Sequence, residues 1–134
     1  MTHSIYVQQG YDYTSGVWQF EGYAYVPSGT TGVSIMQIFG GASAATTMML
    51  RVYNGALSYY RAPIAQNIYD RWFRVNAIHD AGAPKVKVYI DGSLVHEANG
   101  NGALSHYFNF GVYAQDGASD YMESRWRGIK VLRK

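Results

Sequence analysis

The sequence predicts an all-β sandwich of two antiparallel sheets, and three observations predict it. Apolar and polar residues alternate with a period of two in short runs bounded by Gly, Asn, Asp and Pro, and helical spacing is hard to find. Asn54-Gly55 and Asp91-Gly92 each stand between two such runs, as hairpin turns whose central positions need positive φ. Thirteen tyrosines supply side chains with an apolar body and a polar tip, suited to half-buried strands.

About ten strands are expected. The clearest early one covers residues 17–26, with Trp18, Phe20, Ala24 and Val26 on the core face and Gln19, Glu21, Tyr23 and Tyr25 on the other. Pro27-Ser28-Gly29 turns the chain into a strand over 33–39, ended by Gly40-Gly41. Strands over 48–53 and 56–61 flank Asn54-Gly55. Residues 72–79 form a long strand with Phe73, Val75 and Ala77 inward, and 85–90 pairs through Asp91-Gly92 with 93–97. Residues 99–102 are a loop, and strands over 106–115 and 125–132 complete the set.

The 134 residues suit one core, and residues 1–134 read as a single domain without repeat or linker. Without cysteine, neither disulfides nor a Cys-based zinc site can hold the fold. The net charge of +2 is spread without a long Lys/Arg block, which argues against a nucleic-acid or membrane-surface partner. No run approaches the roughly 18 apolar residues of a membrane span, and residues 1–6 lack the apolar core of a signal peptide. No His/Asp/Glu spacing suggests a metal and no phosphate-loop or Ser-His-Asp pattern occurs, so no cofactor is expected.

Several runs, in order, carry a resemblance: GVWQFEGY at 16–23, IMQIFG at 35–40, MLRVYNG at 49–55, YDRWFRVN at 69–76, VYIDG at 88–92 and HYFNFGVYAQ at 106–115. Over residues 10–134 the chain resembles the plant citrate-binding-protein-like branch of the alginate lyase superfamily. That resemblance implies a concanavalin-A-like jelly roll whose concave sheet carries the groove, and a secreted or vacuolar location. The lyase motifs are an Arg-rich opening strand, a Gln-Ile-His strand and a late strand of the form Tyr-Phe-Lys-Ala-Gly-x-Tyr-x-Gln. Gln37 matches the glutamine of the second, but Phe39 stands at its histidine. In the third, Tyr107, Gly111, Tyr113 and Gln115 match, Asn109 replaces lysine and Phe110 replaces the small residue. The opening strand falls near 3–7, where there is no arginine.

Uronate lyases remove a weakly acidic proton beside a carboxylate, so donors must neutralise that carboxylate while a tyrosine or histidine moves the proton. The resemblance leaves Tyr113 as the acid/base and Gln37 as a neutraliser, with His3 able to join them on an early strand and Arg51 or Arg74 as substitutes. Loss of one such donor costs roughly a hundred- to thousandfold in rate. Binding demands less: amides, phenols and flat rings on one surface suit a sugar's hydroxyls and C–H faces. The residues expected to bind ligand are Gln37, Phe39, Arg51, Tyr107, Asn109, Tyr113 and Gln115, together with Gln19, Glu21 and Tyr23.

Blander readings stand beside these. Glu21 and Arg51 also read as an ordinary cross-strand pair, His79 and His96 as surface residues near strand ends, and Lys85/Lys87 and Arg125/Arg127 as solvated edges. His106 is divided between a site and a structural role. The leading expectation is a lectin-like jelly roll, catalytically degenerate, that binds an acidic or cell-wall glycan. Its alternatives are an active β-eliminating glucuronan or alginate lyase using Tyr113, Gln37 and His3, and a citrate or small-anion binder.

Overall fold

The computed structural model describes residues 4–7, 13–40, 46–100 and 105–134, with the backbone alone for 4–7. Strands β1 (Ser4–Val7), β2 (Val17–Tyr25), β3 (Val33–Phe39), β4 (Thr46–Tyr53), β5 (Ala56–Tyr59) and β6 (Ala62–Ala65) are followed by β7 (Trp72–Asp80), β8 (Lys85–Ile90), β9 (Ser93–Asn99), β10 (Tyr107–Ala114) and β11 (Arg125–Arg133). They form a jelly-roll sandwich of two antiparallel sheets. One runs β1-β10-β3-β4-β5-β6 and the other β11-β2-β7-β8-β9.

The hairpin turns form as the Asx-Gly pairs require: Asn54 and Gly55 have φ of 49° and 84°, Asp91 and Gly92 of 51° and 85°. The expected strand over 56–61 ends early, at Tyr59, and a further strand, β6, follows at Ala62. Tyr60, at φ 52°, turns the chain at Tyr59, and Pro63 then lies in β6, an edge strand where its missing N–H costs no ladder bond. Lys85 and Lys87, expected at an edge, lie on β8, which β9 covers; Arg125 and Arg127 do lie on an edge strand.

Period-2 alternation sends one face of each sheet into a shared core. Phe20, Ala24, Phe73, Val75 and Ala77 of one sheet meet Met36, Ile38, Leu50, Phe108 and Phe110 of the other, all buried. Phe20 joins the sheets, with its ring 5.6 Å from those of Phe108 and Phe110 and 5.7 Å from Trp126. Phe20→Ala is expected to destabilise the fold by about 3–5 kcal/mol in urea unfolding, because packed rings cannot close the cavity.

At one end of the core sits a polar cluster. His79, expected at the surface, is fully buried, because it continues the inward series of Phe73, Val75 and Ala77 on β7. Its Nδ1 lies 2.7 Å from the Tyr13 hydroxyl, and its ring meets that of His106 edge-on at 4.7 Å. His106 is also fully buried and stacks on Tyr13. Desolvation, with a contribution from His106, lowers the His79 pKa to about 4, and burial pushes the Tyr13 phenol well above its ordinary value. His96 is half-buried, with its ring 4.3 Å from that of Tyr59.

Candidate functional site on the six-stranded sheet

Strands β10, β3 and β4 lie side by side, and their register decides which side chains meet. Asn109 stands opposite Gln37 and Gln37 opposite Met49. Further along, Tyr113 is opposite Ser34, Ser34 opposite Arg51 and Arg51 opposite Ser58. Their strand neighbours Met36, Ile38, Phe108 and Phe110 fill the core, so these residues belong to the outer face. Register shifts between Phe110 and Tyr113 and between Ser34 and Met36 bring Tyr113 into the row of Ser34 and Arg51.

Three of the expected site residues form a hydrogen-bonded chain. The Tyr113 hydroxyl donates to Asn109 Oδ1 at 2.6 Å, and Asn109 Nδ2 donates to Gln37 Oε1 at 3.1 Å. Gln37 is 5% exposed and Asn109 1% exposed, so the two amides form a floor that fixes the direction of Tyr113. Contact with a ligand falls first to half-buried Tyr113, Tyr107, Phe39 and Arg51. Phe39 and Tyr107 stack with ring centroids 5.3 Å apart, placing a flat apolar patch beside the amides.

Beyond Tyr113 the face becomes cationic. A hollow of about 410 Å³ is lined by Arg51, Tyr53, Arg61, Ala114, Gln115 and Asp116. Arg51 is held there by Nε–H donation to Met49 Sδ at 3.0 Å and by the Tyr60 ring, 5.7 Å from its guanidinium carbon; its Nη1 reaches the Tyr53 hydroxyl at 3.4 Å. Gln115 is anchored by donation of its backbone N–H to the Gly32 carbonyl at 2.8 Å. Ser34, fully buried between Tyr113 and Arg51, has an Oγ without a hydrogen-bond partner among the described residues. Arg61, Tyr53 and Ser34 were not expected from sequence. Only the alternation through Arg51 and Tyr53 pointed to this end of the strand, and Arg61 arrives through the turn at Tyr60.

Gln37, Phe39, Arg51, Tyr107, Asn109, Tyr113 and Gln115 are thus gathered on one face, but Gln19, Glu21 and Tyr23 are not. They lie on β2, in the other sheet, and point away from the core on the opposite side of the sandwich. Gln19 Nε2 donates to Asn76 Oδ1 at 2.7 Å, and the Arg127 guanidinium carbon lies 5.9 Å from the Tyr23 ring. Glu21 is opposite Asn76 and Lys130, so its expected pairing with Arg51 does not exist. His3 lies outside the described residues. Arg74, weighed as a substitute donor, is also on the five-stranded sheet.

Among the described residues no group of three or more His, Cys, Asp or Glu is placed to hold a metal ion. Among the described residues no helix is long and apolar enough to cross a membrane.

Comparison with known proteins places the chain in a family. The chain is 50% identical over 127 residues to the citrate-binding protein of Hevea brasiliensis, an alignment that takes in 93% of this chain and 53% of that protein. It therefore spans about half the length of that relative. Among solved structures it superposes on an alginate lyase of polysaccharide lyase family 7 with a TM-score of 0.68 and 22% identity, covering 92% of this chain and 62% of the other. The marine alginate lyase from Zobellia galactanivorans gives a TM-score of 0.71 at 18% identity, covering 92% and 65%. These structural matches establish the shared fold; a family model described as alginate lyase also matches residues 5–133, and the chain belongs to the alginate lyase family.

Proposed function

We propose that this chain binds an acidic glycan along the outer face of the six-stranded sheet and holds it without cleaving it. The observation that carries the reading is the Tyr113–Asn109–Gln37 chain, in which the phenol proton is committed to a neutral amide. Phe39 and Asn109 occupy the places where the lyase motifs have histidine and lysine, so two groups that could offset a C5 carbanion are replaced there by neutral ones. What remains suits recognition. A sugar face has the Phe39–Tyr107 stack to lie on, the Tyr113 oxygen offers an acceptor to a sugar hydroxyl, and Arg51 with Arg61 offers a fork to a uronate carboxylate.

Calorimetry with oligouronates, run beside an ultraviolet assay for unsaturated uronate, tests this. The expected result is binding without new absorbance, weakened about three- to tenfold by Tyr113→Phe, the worth of one hydrogen bond. Absorbance that grows with time and disappears in Tyr113→Phe means instead a β-eliminating lyase with Tyr113 as its acid/base. A second reading is favoured by the hollow between Arg51 and Arg61: about 410 Å³ with two guanidiniums is room for one small polycarboxylate, and a family relative is named for citrate. Citrate that displaces the oligouronate, and loses its own binding in Arg51→Ala, assigns the hollow to the small acid.

A further inference from the structure

The opposite face of the sandwich carries a built surface of its own. Two adjoining hollows of about 300 and 290 Å³ share Ile78 and Tyr89, and together they make one trough across β2, β7 and β8. Residues of these strands in the trough are outward-pointing, so its floor is the sheet itself: Gln19, Asn76 and Ile78 along the middle, with the half-buried ring of Tyr89 beside them.

Arg74 stands at one end. Its guanidinium lies against Gly92, where a Cβ would come within 2.9 Å of a terminal nitrogen, so the glycine of the Asp91-Gly92 turn gives it room. Arg74 Nε is buried and has no hydrogen-bond partner among the described residues. Asp91, at the turn beside it, accepts from the Arg74 backbone N–H at 2.9 Å and from Arg71 at 3.1 Å. Among the described residues Arg74 makes no ion pair, although Glu21 lines the same hollow.

Cations outnumber carboxylates along the trough, with Arg74, Lys85, Lys87 and Lys134 against Glu21 and Asp80. Lys134 lines the trough with Arg74, and Lys85 and Lys87 line its far end. Of the carboxylates here, Asp80 accepts from the N–H groups of Gly82 and Ala83, and Glu21 stands opposite Lys130 in register. In the Gln19–Asn76 bond only Gln19 Nε2 and Asn76 Oδ1 are engaged, so Asn76 Nδ2 and Gln19 Oε1 keep their capacity for a ligand. Cations at both ends, amides between them and an aromatic face in the middle suit an extended, hydroxylated polyanion.

We infer that this trough is a second glycan site, distinct from the six-stranded sheet, and that its ligand is a stretch of polyuronate read through its carboxylates by Arg74 and the flanking lysines. Gln19 and Glu21, which sequence places among the ligand-binding residues, then belong to this site. The inference stands on geometry separate from that of Tyr113, and its test separates the two faces.

The experiment is a heteronuclear NMR titration of the folded chain with a defined oligogalacturonate, with citrate and with a neutral cello-oligosaccharide. The expected result is that oligogalacturonate moves the Arg74 Nε–H and the side-chain amides of Gln19 and Asn76, and that these shifts persist in Tyr113→Phe. Arg74→Gln should weaken binding read at the Gln19 and Asn76 amides at least tenfold while leaving the resonances of the six-stranded sheet in place. If Arg74→Gln perturbs folding, the surface variant Lys87→Gln with Lys134→Gln should produce a graded loss. No shift on this face, or an equal response to the neutral oligosaccharide, overturns the inference. Saturation of the same resonances by citrate, with no gain from the oligomer, overturns the assignment to a polymer.

Discussion

Acidification from neutral pH to about pH 4 is expected to remove about 3 kcal/mol of stability through His79 alone. The group has its ordinary pKa of 6.5 in the unfolded chain and about 4 in the fold, where burial and the neighbouring His106 disfavour the imidazolium. Between those values the unfolded chain binds the proton that the folded one refuses. The stabilisation is therefore fully present above about pH 6.5 and is lost as pH falls toward 4. The groups facing His79 are the Tyr13 hydroxyl and the His106 ring, and Asp80 beside it opposes the shift only in part. Urea unfolding at a series of pH values checks this. His79→Asn keeps an acceptor near Tyr13 but has nothing to titrate, so its stability should follow the same curve without the His79 step. An unchanged slope in the variant would assign the acid lability to carboxylates instead.

Gly32→Ala is expected to cost about 3 kcal/mol or more and to loosen the loop after β10. Gly32 has φ of 70°, and a Cβ there would lie 2.6 Å from the Gly117 carbonyl oxygen and 2.8 Å from Ala118 Cα. Both are backbone atoms that cannot step aside as a flexible side chain does, and the left-handed conformation adds about 1–2 kcal/mol of its own. The same residue donates its N–H to the Val52 carbonyl and accepts from the Gln115 N–H, so it ties β4 to the loop that walls the Arg51 hollow. Gly117→Ala is the contrast. Its φ is 75° but nothing stands within 4 Å of the added carbon, so only the conformational part of the cost should appear in thermal unfolding. Equal losses in the two variants would mean that close approach at Gly32 contributes nothing.

Most of the fold was legible because its signals are local. The Asn54-Gly55 and Asp91-Gly92 turns need only two residues each, and alternation assigned Phe20, Phe73 and Val75 to the core without knowledge of their partners. The turn that ends β5 at Tyr59 was hidden because Tyr60 adopts positive φ without a glycine to announce it. The site was half legible. Period-2 spacing says which residues share a face but not which sheet they occupy, so Gln19 and Glu21 were grouped with Gln37 although a whole core separates the two faces. His79 was misread for a related reason. Its inward register was written in Phe73, Val75 and Ala77, but the hydrogen bond that makes burial tolerable comes from Tyr13, 66 residues away in sequence.

The order of strands also constrains how the chain reaches this structure in time. Ser4 pairs with Gly111, and Val17–Tyr25 lies between residues 72–80 and 125–133, so neither sheet is complete until distant parts of the chain have met. The β7–β8 and β4–β5 hairpins can form early, but β10 must close a span of about a hundred residues before β1 has a partner, a loop whose entropy no local contact repays. Chains with such topology fold in milliseconds to seconds rather than microseconds. Until residues 107–133 dock, β2 and β3 each have one edge without its partner strand, and exposed edges of that kind are templates for pairing with another chain.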